Sequence, residues 1–177
     1  VSSTFNYSDG FRNNISRGIN NSNKKEELFT RVKAHFKPSL NFNILGTIIY
    51  ANLKNGYDAW APDNNNDFKT FSDSTGEDSQ KTRGFSVRSE LKVSEDFRLT
   101  AISTHTITDQ VHSYDGDWGD SLYWASNYGW DDNIQGYAYS FYDENVRKRI
   151  SSSNELRFHY SNLVLGGYYR ILKENDE

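Results

Sequence analysis

The chain has 177 residues, a formal net charge of -4 and no cysteine. That length suits one domain with a sizeable core. The charge leaves no basic footprint for nucleic acid, and without thiols there are no disulfides and no cysteine chemistry.

The hydrophobic fraction, 35%, is low for a globular domain, while aromatics reach 15% and are weighted to Tyr and Phe. No apolar run approaches the roughly 20 residues that a membrane helix needs. The longest, Ile44 to Ala51, is interrupted by Gly46 and Thr47. Val1 opens no signal peptide, since no basic start leads into an apolar block. The first residue is not Met, which favours a fragment of a longer protein.

Ser2 to Ser8 reads as the end of a strand, with Phe5 and Tyr7 on one parity. Asp9 to Glu26 reads as a loop, punctuated by Asp9-Gly10, Asn13-Asn14 and Asn20-Asn21-Ser22-Asn23. Glu27 to Phe36 is a strand: Leu28, Val32, Ala34 and Phe36 share one parity with Thr30, and Arg31, Lys33 and His35 take the other with Phe29. Lys37-Pro38-Ser39 is a short turn, with Pro suited to its start. Asn41 to Lys54 is the next strand. It is apolar on both parities, so periodicity leaves its inward face undecided.

Gly56 to Lys81 is a second long loop. Arg83 to Asp109 is the clearest hairpin. Phe85, Val87, Leu91 and Val93 alternate with Gly84, Ser86, Arg88, Glu90 and Lys92. Ser94-Glu95-Asp96 makes the turn, and a Thr- and Ile-rich strand begins at Phe97. His112 to Val146 is the longest loop and carries three of the four Trp. Lys148 to His159 and Val164 to Lys173 are strands joined by a tight turn at Ser161-Asn162.

The expected fold is therefore all-β: an antiparallel up-and-down meander of about seven strands whose connections alternate long and short. Compact soluble domains rarely carry several loops beyond roughly 12–15 residues. An outer-membrane β-barrel does so systematically, with long extracellular loops and short periplasmic turns. Aromatics also collect near strand ends. Tyr50, Tyr57 and Trp60, and Tyr114 and Trp118, stand at the long-loop end; Phe36, Phe42, Phe97 and Tyr160 flank the short turns. Paired girdles of this kind are a barrel habit.

Three segments resemble the barrel domain of TonB-dependent outer-membrane receptors: Tyr7 to Asn14 followed by Lys25 to Lys33, Asn55 to Trp60 with Asp63-Asn64, and Asn154 to Phe158 with Gly166-Gly167-Tyr168-Tyr169. The resemblance covers nearly all of residues 1–177. It implies a segment of a transmembrane β-barrel in a Gram-negative outer membrane, with outer-membrane lipid around it and the TonB complex as partner of the parent protein. It also implies uptake of a scarce small-molecule ligand at the extracellular loops: an iron–siderophore, a vitamin or a carbohydrate. The TonB box, the plug domain and a closing C-terminal strand are absent from these residues. Receptors of this class have about 22 strands, so seven would be part of a wall.

The aromatic loops are the candidate site. Trp60, Tyr123, Trp124, Tyr128, Trp130 and Tyr137 are rigid rings, several with a polar tip, suited to stacking on sugars or contacting chelates. Trp124 and Trp130 are the leading ligand contacts; the competing reading packs these rings against the loop itself. Asp115-Gly116-Asp117-Trp118-Gly119-Asp120 could collect calcium, but the EF-hand order and its terminal Glu are missing. The four His have no metal-ligand spacing, and His105 reads as barrel-lining. Glu90 and Glu155, each two residues from an Arg, read as cross-strand ion pairs rather than catalytic acids. No cofactor motif or nucleophile elbow is present, so an enzyme is not expected. The rival class is a soluble β-sandwich binding carbohydrate through its aromatic loops, but strands of ten or more residues favour the membrane. A degenerate barrel fragment without function is the third reading.

Overall fold

The computed structural model describes residues 1–177. Seven long strands form one antiparallel sheet: β1 (Ser2–Ser8), β4 (Lys25–Ser39), β5 (Phe42–Tyr57), β7 (Gly76–Lys92), β8 (Phe97–Asp115), β9 (Tyr142–Tyr160) and β10 (Leu163–Asp176), paired in that order. Each strand pairs with the next long strand in the chain, which is an up-and-down meander. Residues 40–41, 93–96 and 161–162 make the three tight turns at one end. Residues 9–24, 58–75 and 116–141 make the three long loops at the other. β1 and β10 each pair on one side only, so the sheet has two open edges.

The register settles what alternation left open in β5. Ile48 stands opposite Val32 and Phe85, and Ile44 opposite Phe36 and Ser89. The even positions of β5 therefore share a face with Val32, Ala34 and Phe36 of β4 and with Phe85, Val87 and Leu91 of β7. Leu99, Ala101 and Ile107 of β8, Ile150, Leu156 and Phe158 of β9, and Leu165 and Ile171 of β10 continue that face. The other face carries Arg31 and Lys33 of β4, Arg88 and Glu90 of β7, Thr104, Thr106 and Thr108 of β8, and Arg147, Arg149, Glu155 and Arg157 of β9. Odd-numbered Ile49 of β5 fits there because β7 offers Gly84, where a Cβ would meet Ile49 Cγ1 at 3.2 Å and Thr106 Cγ2 at 2.6 Å.

Nothing in the chain covers the apolar face. Phe36 is 63% exposed, Ile48 59% and Leu165 60%. Only 11 residues are buried, and Ala51 is the only one with a hydrophobic side chain. The sizeable core that length alone suggested does not form, because the apolar side chains lie on one surface of a single layer rather than between two layers. No helix is long and apolar enough to cross a membrane.

On the apolar face the uncovered belt has a definite height. It runs from Phe42 to Tyr50 on β5, from Phe85 on β7 to Val93 just past its end, from Phe97 to Ile107 on β8, and from Ile150 to Tyr160 on β9. Each is roughly the 9–11 residues of a membrane-crossing strand. Phe36, Phe42, Phe97 and Tyr160 all lie on this face at the tight-turn end, as a girdle would. The upper girdle is corrected in part: Tyr50 is on the apolar face, but Tyr57 pairs on the polar side, and Tyr114 packs with it at 6.1 Å. His105 is corrected too. It stands on the apolar face against Phe85, with its Nδ1 2.7 Å from Ser152 Oγ, rather than lining the polar side.

Candidate ligand-binding site

The long loops are more ordered than their composition suggests. β7 begins at Gly76, so the last six residues of the stretch read as loop are strand, and β8 and β9 extend to Asp115 and back to Tyr142. In the first two loops, β2 (Arg12–Asn14), β3 (Ile19–Ser22) and β6 (Lys69–Thr70) form a small sheet, with β2 antiparallel to β3 and parallel to β6. In the third loop lie α1 (Ser121–Tyr128) and α2 (Asp132–Gln135). Asp120 caps α1 by accepting from Tyr123 N at 2.6 Å, and Gly129 ends it in the left-handed region at φ 68°. Asp131 and Gly136 do the same for α2.

Polar contacts join the three loops into one cap. Asn14 Nδ2 donates to Asp58 Oδ2 at 3.1 Å and to the Ser72 carbonyl at 2.9 Å. Thr70 Oγ1 donates to the same Asp58 oxygen at 2.8 Å. Asp73 N donates to Asp115 Oδ2 at 3.0 Å, tying the second loop to the end of β8. Phe141 N donates to Asp117 Oδ2 at 2.8 Å, closing the third loop on itself. Gly76 is required where β7 leaves this cap: a Cβ there would lie 2.0 Å from the Tyr57 carbonyl oxygen.

The acidic turn that could have held calcium serves the backbone instead. Asp115 Oδ1 accepts from Asp117 N at 3.2 Å and Trp118 N at 3.1 Å, and Asp117 Oδ1 accepts from Gly119 N at 3.1 Å. No three carboxylate or imidazole groups converge as a metal site. Burial pushes the Asp115 carboxyl up to about 7, with the neighbouring Asp117 carboxyl adding to the effect.

Two aromatic groups stand in the cap. In the first, Trp60 stacks on Trp118 with centroids 5.9 Å apart and planes at 26°. Trp60 Nε1 donates to Tyr57 Oη at 3.1 Å. Tyr57 in turn packs edge-on against His112 at 4.9 Å, at the top of the polar face. Trp118 holds a left-handed backbone, φ 63°, which costs a non-glycine residue about 1–2 kcal/mol. The second group lies around α1: Trp124 packs on Tyr123, Tyr128 and Tyr139, and Trp130 on Tyr137 and Tyr139. Tyr123 also meets Phe71 of the second loop at 4.5 Å.

Of the candidate residues, the structure thus gathers Tyr123, Trp124, Tyr128, Trp130 and Tyr137 in one cluster and puts Trp60 in another. Trp60, Tyr128 and Tyr137 are exposed, whereas Trp124 and Trp130 are half-buried by their neighbours. Trp124 Nε1 is buried without a hydrogen-bond partner. Sequence reasoning missed Tyr57, His112, Tyr114 and Trp118 as companions of Trp60, although it placed three of them at the same strand end. A cavity of about 340 Å³ opens beside them between the first two loops, lined by Arg17, Asn21, Lys24, Tyr57, Asp58 and Ser74. Such a volume and lining suit a small polar ligand.

The ionic pairs of the polar face are structural. Arg88 Nη2 donates to Glu90 at 3.0 Å, and Arg157 pairs with Glu155 on its own strand rather than across strands. Arg98 reaches Glu90 across the ladder at 3.9 Å.

The fold and site define a class: an antiparallel meander with one bare apolar face, one ion-paired polar face, and an aromatic cap at one end. Compared with known proteins, the chain matches no family model, no curated protein and no solved structure.

Proposed function

We propose that this chain forms part of the barrel wall of a TonB-dependent outer-membrane receptor. The parent protein binds a scarce small molecule at its outer loops and admits it with energy passed from the inner membrane. The observation that carries this reading is the uncovered apolar belt, one membrane thickness high, bounded at the tight-turn end by aromatic rings. A soluble sugar-binding sandwich needs a second layer over that face. The polar face, with its ion pairs, would line the lumen, and the cap would face the medium. Within the cap, the exposed rings of Trp60 and Tyr128 and the Tyr57-edged cavity receive the ligand, with Tyr123, Trp124, Trp130 and Tyr137 shaping the loop behind them.

The test uses cells making the whole protein. Iron–siderophore, vitamin and oligosaccharide probes are offered with and without a working TonB. The reading expects the protein in the outer-membrane fraction and TonB-dependent accumulation of one probe. Recovery from the soluble fraction, or accumulation indifferent to TonB, overturns it. Trp60→Ala, and Trp124→Ala with Trp130→Ala, are expected to weaken binding of that probe; intact affinity would remove those residues from the site.

A further inference from the structure

The belt is not uniformly apolar. At mid-depth β4 and β5 present Val32, Ala34, Phe36, Ile44, Gly46 and Ile48. At the same levels β7, β8 and β9 carry Ser89, Ser103, His105, Ser152 and Asn154. The register stacks two cross-strand pairs there: Ser103 with Asn154 and, one level higher, His105 with Ser152. Ser103 Oγ donates to Asn154 Oδ1 at 2.9 Å, and His105 Nδ1 lies 2.7 Å from Ser152 Oγ. These bonds leave Asn154 Nδ2 and His105 Nε2 without a partner in the chain. Water would satisfy both. In hydrocarbon an unmet amide or imidazole is costly, and such residues turn toward protein.

The wall is hollowed at the same place. A depression of about 570 Å³ is lined on this face by Ser89, Ala101, Ser103, Asn154, Leu156 and Gly167. Small side chains let a second surface approach closely, and small residues around a hydrogen-bonding group are what joins protein surfaces inside a membrane. Two-fold symmetry supplies a fitting partner. An Asn amide both donates and accepts, and its oxygen has a second lone pair beside the one taken by Ser103. An axis along the membrane normal keeps belt, girdle and cap of two copies level, and sets each residue against its counterpart at equal depth. Asn154 of each copy can then donate to Asn154 of the other, with Val87 and Tyr169 closing the ends of the row. An unrelated partner needs a matching polar group at that one depth; a second copy has it by construction.

We infer that the polar inlay of Ser103, Asn154, His105 and Ser152 on the outer wall is a two-fold interface between two copies of the parent protein within the membrane. The inference rests on the membrane reading above and goes beyond it, because a wholly apolar belt requires only lipid around it. The interface is on the opposite face of the sheet from the ion pairs of Arg88 and Arg157, so it leaves the lumen side free.

The experiment uses the whole protein reconstituted in phosphatidylcholine bilayers. Insertion is read by heat-modifiable migration on gels, and self-association by energy transfer between labelled copies as lipid is added. Asn154→Leu removes the amide at nearly constant volume; Thr106→Val, on the polar face, is the control. A hydrogen bond between protein surfaces in a membrane counts for about threefold in association, so the symmetric pair counts for roughly tenfold. The expected result is normal insertion of every form, with the dimer dissociation constant rising about tenfold in Asn154→Leu and unchanged in Thr106→Val. In a background free of other cysteines, Leu156→Cys should be joined into a covalent dimer by a short thiol crosslinker. Val32→Cys, at a similar depth but about 19 Å away at about 4.8 Å per strand, should not. An inserted protein that stays monomeric at every dilution overturns the interface and leaves the membrane reading standing. So does a dimer that Asn154→Leu does not weaken, or one that crosslinks through Val32→Cys and not Leu156→Cys. Failure of the unaltered protein to insert overturns both. If Asn154→Leu alone fails to insert, the two cysteine variants decide: no covalent dimer through Leu156→Cys overturns the interface.

Discussion

Trp60 and Trp118 stack across two loops at 5.9 Å, and Trp118 accepts a left-handed backbone to get there. Asp115 helps hold it, accepting from Trp118 N at 3.1 Å. Strain of this kind persists where the surroundings over-determine it, and it often marks a site. The stack makes the second and third loops one surface beside the Tyr57–His112 pair.

Removing the ring should therefore loosen both loops together. An aromatic pair is worth about 0.5–1.5 kcal/mol, or roughly two- to tenfold in a local opening equilibrium. Trp118→Ala is expected to raise amide exchange by that factor in residues 58–75 as well as 116–120. Trp118→Gly also loses the stack but relieves the backbone, so its effect should be smaller. Faster exchange confined to the third loop would show that the stack does not couple them.

Asp58 is the junction of the first two loops. Its Oδ2 accepts from Asn14 and Thr70, which are 1% and 0% exposed. Asp58→Ala strands both donors away from water, at about 1–3 kcal/mol for each group left unsatisfied. Asn14 keeps its bond to the Ser72 carbonyl, so the larger loss falls on Thr70. Limited proteolysis should cut Asp58→Ala within the first or second loop while Asp58→Asn, which keeps an acceptor oxygen, stays resistant. Equal resistance of the two variants would contradict this role.

The cap should be more stable in mild acid than at neutral pH. Asp115, at the loop end of β8 and 4% exposed, holds its proton up to about pH 7 because of burial and the Asp117 carboxyl. In an opened cap it releases that proton near its ordinary value of 3.8. Between those values the closed cap binds more protons than the open one, so stability falls as pH rises through the window and is level above it. Amides of Asp117, Trp118 and Gly119, corrected for intrinsic rate, should be better protected at pH 5 than at pH 8. Asp115→Asn should flatten the difference. Its Nδ2 also faces Asp73 N–H, so the variant loses protection at both pH values. A flat profile in the unaltered protein would place the proton elsewhere.

Strand order and the long–short rhythm were legible because Phe85 to Val93 and Leu28 to Phe36 alternate cleanly and the turns are short. β5 was not, since Ile44 and Ile48 on one parity are matched by Leu45 and Ile49 on the other; only pairing with Val32 and Phe85 decides between them. The upper ends of β8 and β9 escaped because Gln110, His112, Asn145 and Arg147 extend the ladder with no aliphatic member on their parity. The α1 helix did carry a signal, Asp120 before it and Gly129 after it, but its aromatic run masked helical periodicity. The contacts of Asn14, Asp58 and Thr70 join segments far apart in the chain, and no local pattern announces them.

The face assignment gives the sharpest test of the membrane reading. Val87 and Ser86 are neighbours midway up β7 on opposite faces: Val87 stands beside Gly46 and Ser103, Ser86 beside Thr47 and Thr104. An Arg at mid-depth on a lipid-facing strand costs about 2–4 kcal/mol, whereas one on the lumen side is tolerated. Val87→Arg should thus lower the unfolding free energy of the reconstituted whole protein by that amount, and Ser86→Arg should change it little. The opposite order would reverse the faces. Equal, small effects would mean that the surface beside Val87 meets water, and the apolar belt would then need a protein partner rather than lipid to cover it.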